Sequence, residues 1–126
     1  MILVDTSVWI DHLRKPDQRL QELLENDEVA IHPLILMELA LGSIANREEV
    51  ISNLSLLAKA QVAELDELFT FIETRALYRK GIGVTDLHLI ASALLEKFLL
   101  IWTRDRRLGE IASSFGIRSE RMARNS

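Results

Sequence analysis

With 126 residues, 48% of them hydrophobic and 27% charged, the chain has the size and composition of one folded domain, not of a disordered or fibrous segment. It contains no cysteine, which excludes disulfides and thiolate metal sites, and no apolar run near the roughly 18 residues of a membrane helix. The net charge of −4 hides an asymmetry: residues 1–96 hold 8 Lys/Arg against 16 Asp/Glu, whereas residues 97–126 hold 7 against 3, and six of those seven are Arg.

The opening "MILVDTSVWIDHL" lacks a basic n-region and is interrupted by Asp5, so no secretory signal is expected, and a cytoplasmic protein is. Residues 2–4, "ILV", predict a short buried strand ending at Asp5. A helix over 6–13, stopped before Pro16, comes next, then an amphipathic helix over 17–26 with Leu20, Leu23 and Leu24 on one face. Residues 28–32 predict a second strand. Pro33 suits the first position of a helix over 33–44, and 46–59 predicts another, capped by Asn46 with Glu49 three residues on. A short strand over 60–65 leads to a long helix over 66–80, ended by Gly81, Ile82 and Gly83. Thr85 or Asp86 opens a helix over 84–97. Residues 98–103 read as an apolar strand buried on both faces, and 105–116 as a last helix. Strands alternate with helices, so the expected fold is α/β: one domain over residues 1–126, its mainly parallel central sheet flanked by helices.

Four carboxylates stand out against this frame. In parallel α/β sheets, ligands sit beyond the carboxyl ends of the strands. Asp5 follows the first strand and Asp105 the last, while Asp86 lies at a helix start after a glycine-containing loop. Taken singly, each of these three reads as a helix N-cap. Glu38 has no such reading: it lies inside "PLILMELALG", where seven of ten residues are Leu, Ile, Met or Ala, and is expected to be buried and to need a cation or an ion pair. Four carboxylates at one sheet edge would repel one another and raise some pKa values unless a divalent cation neutralised them. Oxygen ligands without His or Cys suit Mg²⁺ or Mn²⁺. The three histidines, His12, His32 and His88, read as packed or surface groups.

The segments "ILVDTSVWID", "MELALG", "GVTDLHLIASAL" and "WTRDRRL", in this order across essentially the whole chain, resemble the PIN-domain ribonucleases. More narrowly, they look like the VapC toxins of bacterial toxin–antitoxin pairs. The resemblance implies a PIN-like fold and Mg²⁺- or Mn²⁺-dependent hydrolysis of RNA phosphodiester bonds, in structured RNA such as tRNA. It assigns Asp5, Glu38, Asp86 and Asp105 as the catalytic and metal-binding quartet. Thr6, Ser7 and Thr103 then become hydroxyls that orient carboxylates or water. Many relatives carry a further Asp two residues after the position of Asp105; Arg107 stands there in this chain, which weakens a second full metal site and offers a phosphate contact instead. Arg104 and Arg106, flanking Asp105, are expected against the RNA backbone, and Arg79 belongs to a second basic stripe with Arg75 and Lys80. The resemblance also implies a small VapB-like antitoxin laid along the apolar helices at 33–59, and a homodimer.

Three rival functions meet the same residues. A phosphatase with an Asp nucleophile needs Asp-x-Asp after its first strand, and Ser7 stands at the second place. A receiver domain of phosphorelay signalling needs an acidic pair after its first strand and a Lys after its last; Asp5 has no acidic neighbour in its turn and "WTRD" supplies no Lys. A PIN-like scaffold that binds RNA or a partner without cleaving would keep the fold and lose the need for the complete quartet.

Overall fold

The computed structural model describes residues 1–123. Four strands form one sheet: β1 (Ile2–Val4), β2 (Val29–Ile31), β3 (Ala58–Lys59) and β4 (Leu100–Trp102), in the order β3-β2-β1-β4. Every pairing is parallel, with Leu3 opposite Ala30 on one side and Ile101 on the other. The expected α/β class with a parallel sheet is what the structure has. Strands this short are held by burial on both faces: Leu3, Val4, Ile31 and Ile101 have no exposed surface.

Helices cover the sheet: α1 (Thr6–Arg14), α2 (Gln18–Glu25), α3 (Pro33–Leu41), α4 (Arg47–Leu54), α5 (Leu65–Thr74), α6 (Val84–Leu95), α7 (Arg106–Ser114) and α8 (Glu120–Ala123). Trp9 of α1, Leu20 of α2, Ile35 and Leu39 of α3, Leu89 and Ile90 of α6 and Leu108 of α7 reach into one core with the strands. Local chemistry sets most helix starts. Asp17 caps α2 by accepting from the N–H groups of Arg19 and Leu20. His32 caps α3, its Nδ1 accepting the Leu34 N–H at 3.0 Å, with Pro33 at the first helical position as expected.

Several boundaries differ from the sequence reading. Helix α4 ends at Leu54, five residues early, and the strand expected over 60–65 is the two-residue β3 just before it. Residues 58–59 are drawn off to pair with β2, and the Lys59 Nζ folds back onto the carbonyls of Ser55 and Leu57 left open at the helix end. Asn46 does not cap α4: it sits in the left-handed region at φ 53° and its side chain makes no capping bond. The capping box forms at α5 instead, where Glu67 accepts from the Glu64 N–H at 2.9 Å.

Helix α5 ends at Thr74, six residues short of the expected end at 80. Ala76 turns left-handed at φ 50°, and the Leu77 N–H reaches back to Ile72 O at 3.0 Å, a Schellman closure that turns Leu77 into the core. Helix α6 is entered through Gly83, so Asp86 is its third residue and Thr85 its second, and neither is the N-cap. Helix α8 was not foreseen; before it, Arg118 bridges in parallel to Ile101 on the open side of β4. Among the described residues no helix is long and apolar enough to cross a membrane.

Candidate active site

The chain passes from β1 to β2 and β3 on one side and returns to β4 on the other. A crevice therefore opens beyond the carboxyl ends of β1 and β4, the usual ligand position in such sheets. Asp5 lies there directly after β1, its N–H bonded to Trp102 O at 2.9 Å. Although Asp5 occupies the N-cap position of α1, its carboxylate does no capping. Its Oδ2 instead accepts from Ser7 Oγ at 2.8 Å and from Thr103 Oγ1 at 2.7 Å. Each hydroxyl is oriented in turn by a backbone donor, Arg104 N–H to Ser7 Oγ at 3.0 Å and Asp105 N–H to Thr103 Oγ1 at 2.9 Å. Since a hydroxyl has one proton, both protons are directed at Oδ2, and the 3.4 Å approach of Ser7 to Thr103 is a by-product. Asp5 is held buried with Oδ2 doubly bonded, and no hydrogen bond among the described residues engages Oδ1.

Asp105 does cap a helix: its Oδ1 accepts the Leu108 N–H at 2.9 Å, starting α7 with the carboxylate exposed. Glu38 overturns an expectation, being exposed on α3. Only Ile35 and Leu39 of that helix are buried, whereas Met37 and Leu41 are 52% and 88% exposed. The dense apolar run is thus not an all-round buried helix, and it leaves one face to solvent. Glu38 makes no salt bridge among the described residues; its Oε1 accepts from Thr6 Oγ1 at 2.6 Å.

Asp86 registers the other three. Its pKa is raised from 3.8 to about 6, first by burial, then by the charges of Asp5 and Asp105, with Glu38 adding to the effect and a hydrogen bond from the Gly83 backbone opposing it. The four carboxylates therefore share one electrostatic environment. They do not share chelating contact: among the described residues no three His, Cys, Asp or Glu side chains stand close enough to hold a metal as a group. This looser arrangement fits Mg²⁺, which keeps several waters and takes one or two direct carboxylates. An oxygen-only donor set that includes a penalised carboxylate is what a hard divalent cation would relieve.

The PIN domain family model matches residues 2–113. The chain is a PIN domain of the VapC type. Ribonuclease VapC32 of Mycobacterium tuberculosis strain CDC 1551 / Oshkosh is 45% identical to it over 117 residues, 93% of this chain and 94% of the relative. The protein of the same description from strain ATCC 25618 / H37Rv matches to the same extent.

Around the carboxylates of this PIN domain the basic residues behave differently from one another. Arg104 is engaged within the fold: Nη1 bonds Asp11 at 2.6 Å, Nη2 bonds Asp17 at 2.7 Å, and the guanidinium lies 5.8 Å from the Trp102 ring centroid. Its partners are 93 and 87 residues away in the chain, so no sequence signal announced them. Arg106 is exposed and pairs with Glu110 one turn on at 3.0 Å. Arg107 reaches across to Gly81 O at 3.4 Å, tying α7 to the loop before α6. Arg79 lies on that same loop at φ 62°. Arg121 pairs with Glu28 at 3.3 Å, and Arg124 lies outside the described residues.

His32 and His88 make a pair that sequence reading did not foresee. Their ring centroids are 5.3 Å apart, joining the start of α3, which carries Glu38, to α6, which carries Asp86. Burial first, and then the His88 ring, lowers the pKa of His32 to about 4, so it is neutral at ordinary pH. With Nδ1 accepting from Leu34, its proton belongs on Nε2.

Proposed function

We propose that this PIN domain is a ribonuclease that hydrolyses RNA phosphodiester bonds with the help of Mg²⁺ or Mn²⁺, as the toxin of a toxin–antitoxin pair. The observation that carries this reading is Asp86, whose pKa is raised first by burial and then by the charges of Asp5, Asp105 and Glu38, with Asp5 directly after β1 at the crevice. Near-full-length similarity to proteins described as ribonucleases supports the choice of RNA as substrate.

In this reading Asp5, Asp86 and Asp105 hold the cation, directly or through water, and Glu38 completes the shell or orients the attacking water. A divalent ion so held would supply a water of lowered pKa and offset charge on the phosphoryl oxygens. Ser7 and Thr103 fix the Asp5 carboxylate, leaving Oδ1 available, while Thr6 steers Glu38. Arg106, Arg107 and Arg79 receive the RNA backbone. Arg104 acts chiefly by locking α1 and the start of α2 beside the site. Structured RNA such as tRNA, cut in a single-stranded loop, is the proposed target.

The proposed partners are a VapB-like antitoxin and a second copy of the chain. The exposed Met37 and Leu41 on α3 and Leu56 just after α4 supply apolar surface for them. The working compartment is the cytoplasm.

The test is incubation of purified, antitoxin-free protein with total bacterial RNA, with and without Mn²⁺ or Mg²⁺, beside Asp5→Asn. Discrete metal-dependent ends that vanish in the variant establish the activity. No cleavage by folded protein across several RNA pools would replace this reading with an RNA- or partner-binding scaffold.

A further inference from the structure

The loop between α5 and α6 carries three residues in the left-handed region within six positions: Ala76 at φ 50°, Arg79 at 62° and Gly81 at 75°. Ala76 closes α5, and Arg79 holds the left-handed conformation without being glycine, so the backbone of this loop turns sharply between the two helices. The loop frames a cleft of about 360 Å³, floored by Ile72, Leu77 and Leu87 and rimmed by Tyr78, Arg79 and Lys80. That volume lies at the lower end of small-ligand pockets, about 300–1,000 Å³, and suits a single planar ring system.

Three features tie this cleft to the carboxylates. Leu87 of its floor is the residue after Asp86. Gly83 on its wall is the residue through which the chain enters α6, the helix that carries Asp86. Gly81 is shared with a neighbouring depression lined by Asp105, Arg106 and Arg107. Tyr78, the chain's only tyrosine, is 52% exposed at the rim. Arg79, Lys80 and Arg107 make no salt bridge among the described residues, although the chain carries a net charge of −4. An apolar floor, one exposed aromatic ring and a rim of cations without counter-anions complement a flat base flanked by phosphates.

We propose that this cleft is a base subsite: it takes one unstacked base of single-stranded RNA against Tyr78, with Arg79 and Lys80 on the adjoining phosphates. Occupancy there sets which phosphodiester meets the carboxylates. The proposal rests on the ribonuclease reading above and adds to it the residues that choose the cutting position. An apolar peptide would use the floor and leave the cationic rim unmatched, which is why a nucleotide is the better occupant.

Two measurements test it. First, cleavage kinetics compare wild type, Tyr78→Ala and Tyr78→Phe on an oligoribonucleotide and on versions with one abasic nucleotide near the cut. Tyr78→Ala is expected to raise KM by about 5- to 150-fold, the range for losing one base–aromatic stack, with kcat nearly unchanged and the melting temperature retained. Tyr78→Phe should restore most of the loss. One abasic position should cost wild type a similar factor and cost Tyr78→Ala nothing further. A wild-type KM for Tyr78→Ala, or an undiminished abasic penalty in that variant, overturns the subsite.

Second, RNA bearing single 4-thiouridines is photo-crosslinked to the wild-type protein in chelator, which needs no cleavage. Cross-links on the peptide containing Tyr78 are expected. If they form but no RNA is ever cut, the subsite stands and the ribonuclease reading falls. If RNA is cut while cross-links map only elsewhere, or Tyr78 is shielded only by a protein partner, the subsite falls and the ribonuclease reading stands. If neither occurs, both fall.

Discussion

Replacing Asp86 by Asn removes one charge from the carboxylate cluster while keeping the side chain's shape. In the folded protein Asp86 has a pKa of about 6 against 3.8 for an ordinary Asp. The folded state therefore holds this proton more tightly than the unfolded chain does. The stability this represents is full below about pH 4 and is lost as pH rises through 6, so at neutral pH the charged carboxylate burdens the fold. At about 1.4 kcal/mol per pH unit, the shift amounts to ~3 kcal/mol. Solvent reaches the half-buried carboxyl and screens its neighbours, which reduces the expected figure to about 1–2 kcal/mol.

Asp86→Asn escapes this burden. In chelator at pH 7.5 it should melt about 3–8 °C above wild type, a domain of this size gaining several degrees per kcal/mol. The advantage should shrink through pH 6 and vanish near pH 4. Mn²⁺ or Mg²⁺ should raise the melting temperature of wild type more than that of the variant. Thermal melts followed by circular dichroism, from pH 4 to 8 with chelator or with cation, read all three effects, and RNA cleavage by the variant should be lost. A variant no more stable than wild type at pH 7.5, or an advantage unchanged on acidification, would refute the shared environment of the four carboxylates.

Thr103→Val keeps shape but removes one of the two hydroxyl donors to Asp5 and strands the Asp105 N–H; urea unfolding should show a loss of about 1–3 kcal/mol, with cleavage reduced, and an unchanged midpoint would deny the relay. His32, with its pKa lowered to about 4 from 6.5, contributes stability that is full above pH 6.5 and is lost as pH falls towards 4, at about 1.4 kcal/mol per unit. His32→Asn, which keeps an acceptor for the Leu34 N–H, should flatten that acid limb in denaturant titrations at stepped pH. Arg104→Met should cost about 1–2 kcal/mol through its lost bridges to Asp11 and Asp17. If stability is untouched and only KM for RNA rises, Arg104 is a backbone contact after all.

Some of this molecule was legible because the forces involved are local. The apolar triplet at 2–4, the Leu20, Leu23 and Leu24 stripe of α2, and Pro33 opening α3 depend on residues within a few positions of one another. Positions of the carboxylates relative to strand ends follow from the same local reading, and so does the parallel α/β class. Boundaries were less legible where a distant contact outbid local preference. Leu77 had to enter the core, so α5 closed at Ala76 instead of running on to Gly81. The apolar density of α3 misled on burial, since sequence counts apolar residues but does not say how many neighbours are available to cover them.

The sequence by itself determined the alternation of elements and that Asp5 and Asp105 follow strand ends, because hydrophobic period and turn chemistry act over one or two turns. Only the tertiary structure decided what each charge meets. It gave Asp5 two hydroxyls from segments 96 residues apart, left Glu38 in solvent, engaged Arg104 inside the fold and put Asp86 where three other carboxylates act on it. Charges interact through space and through the dielectric around them, and neither is written along the chain.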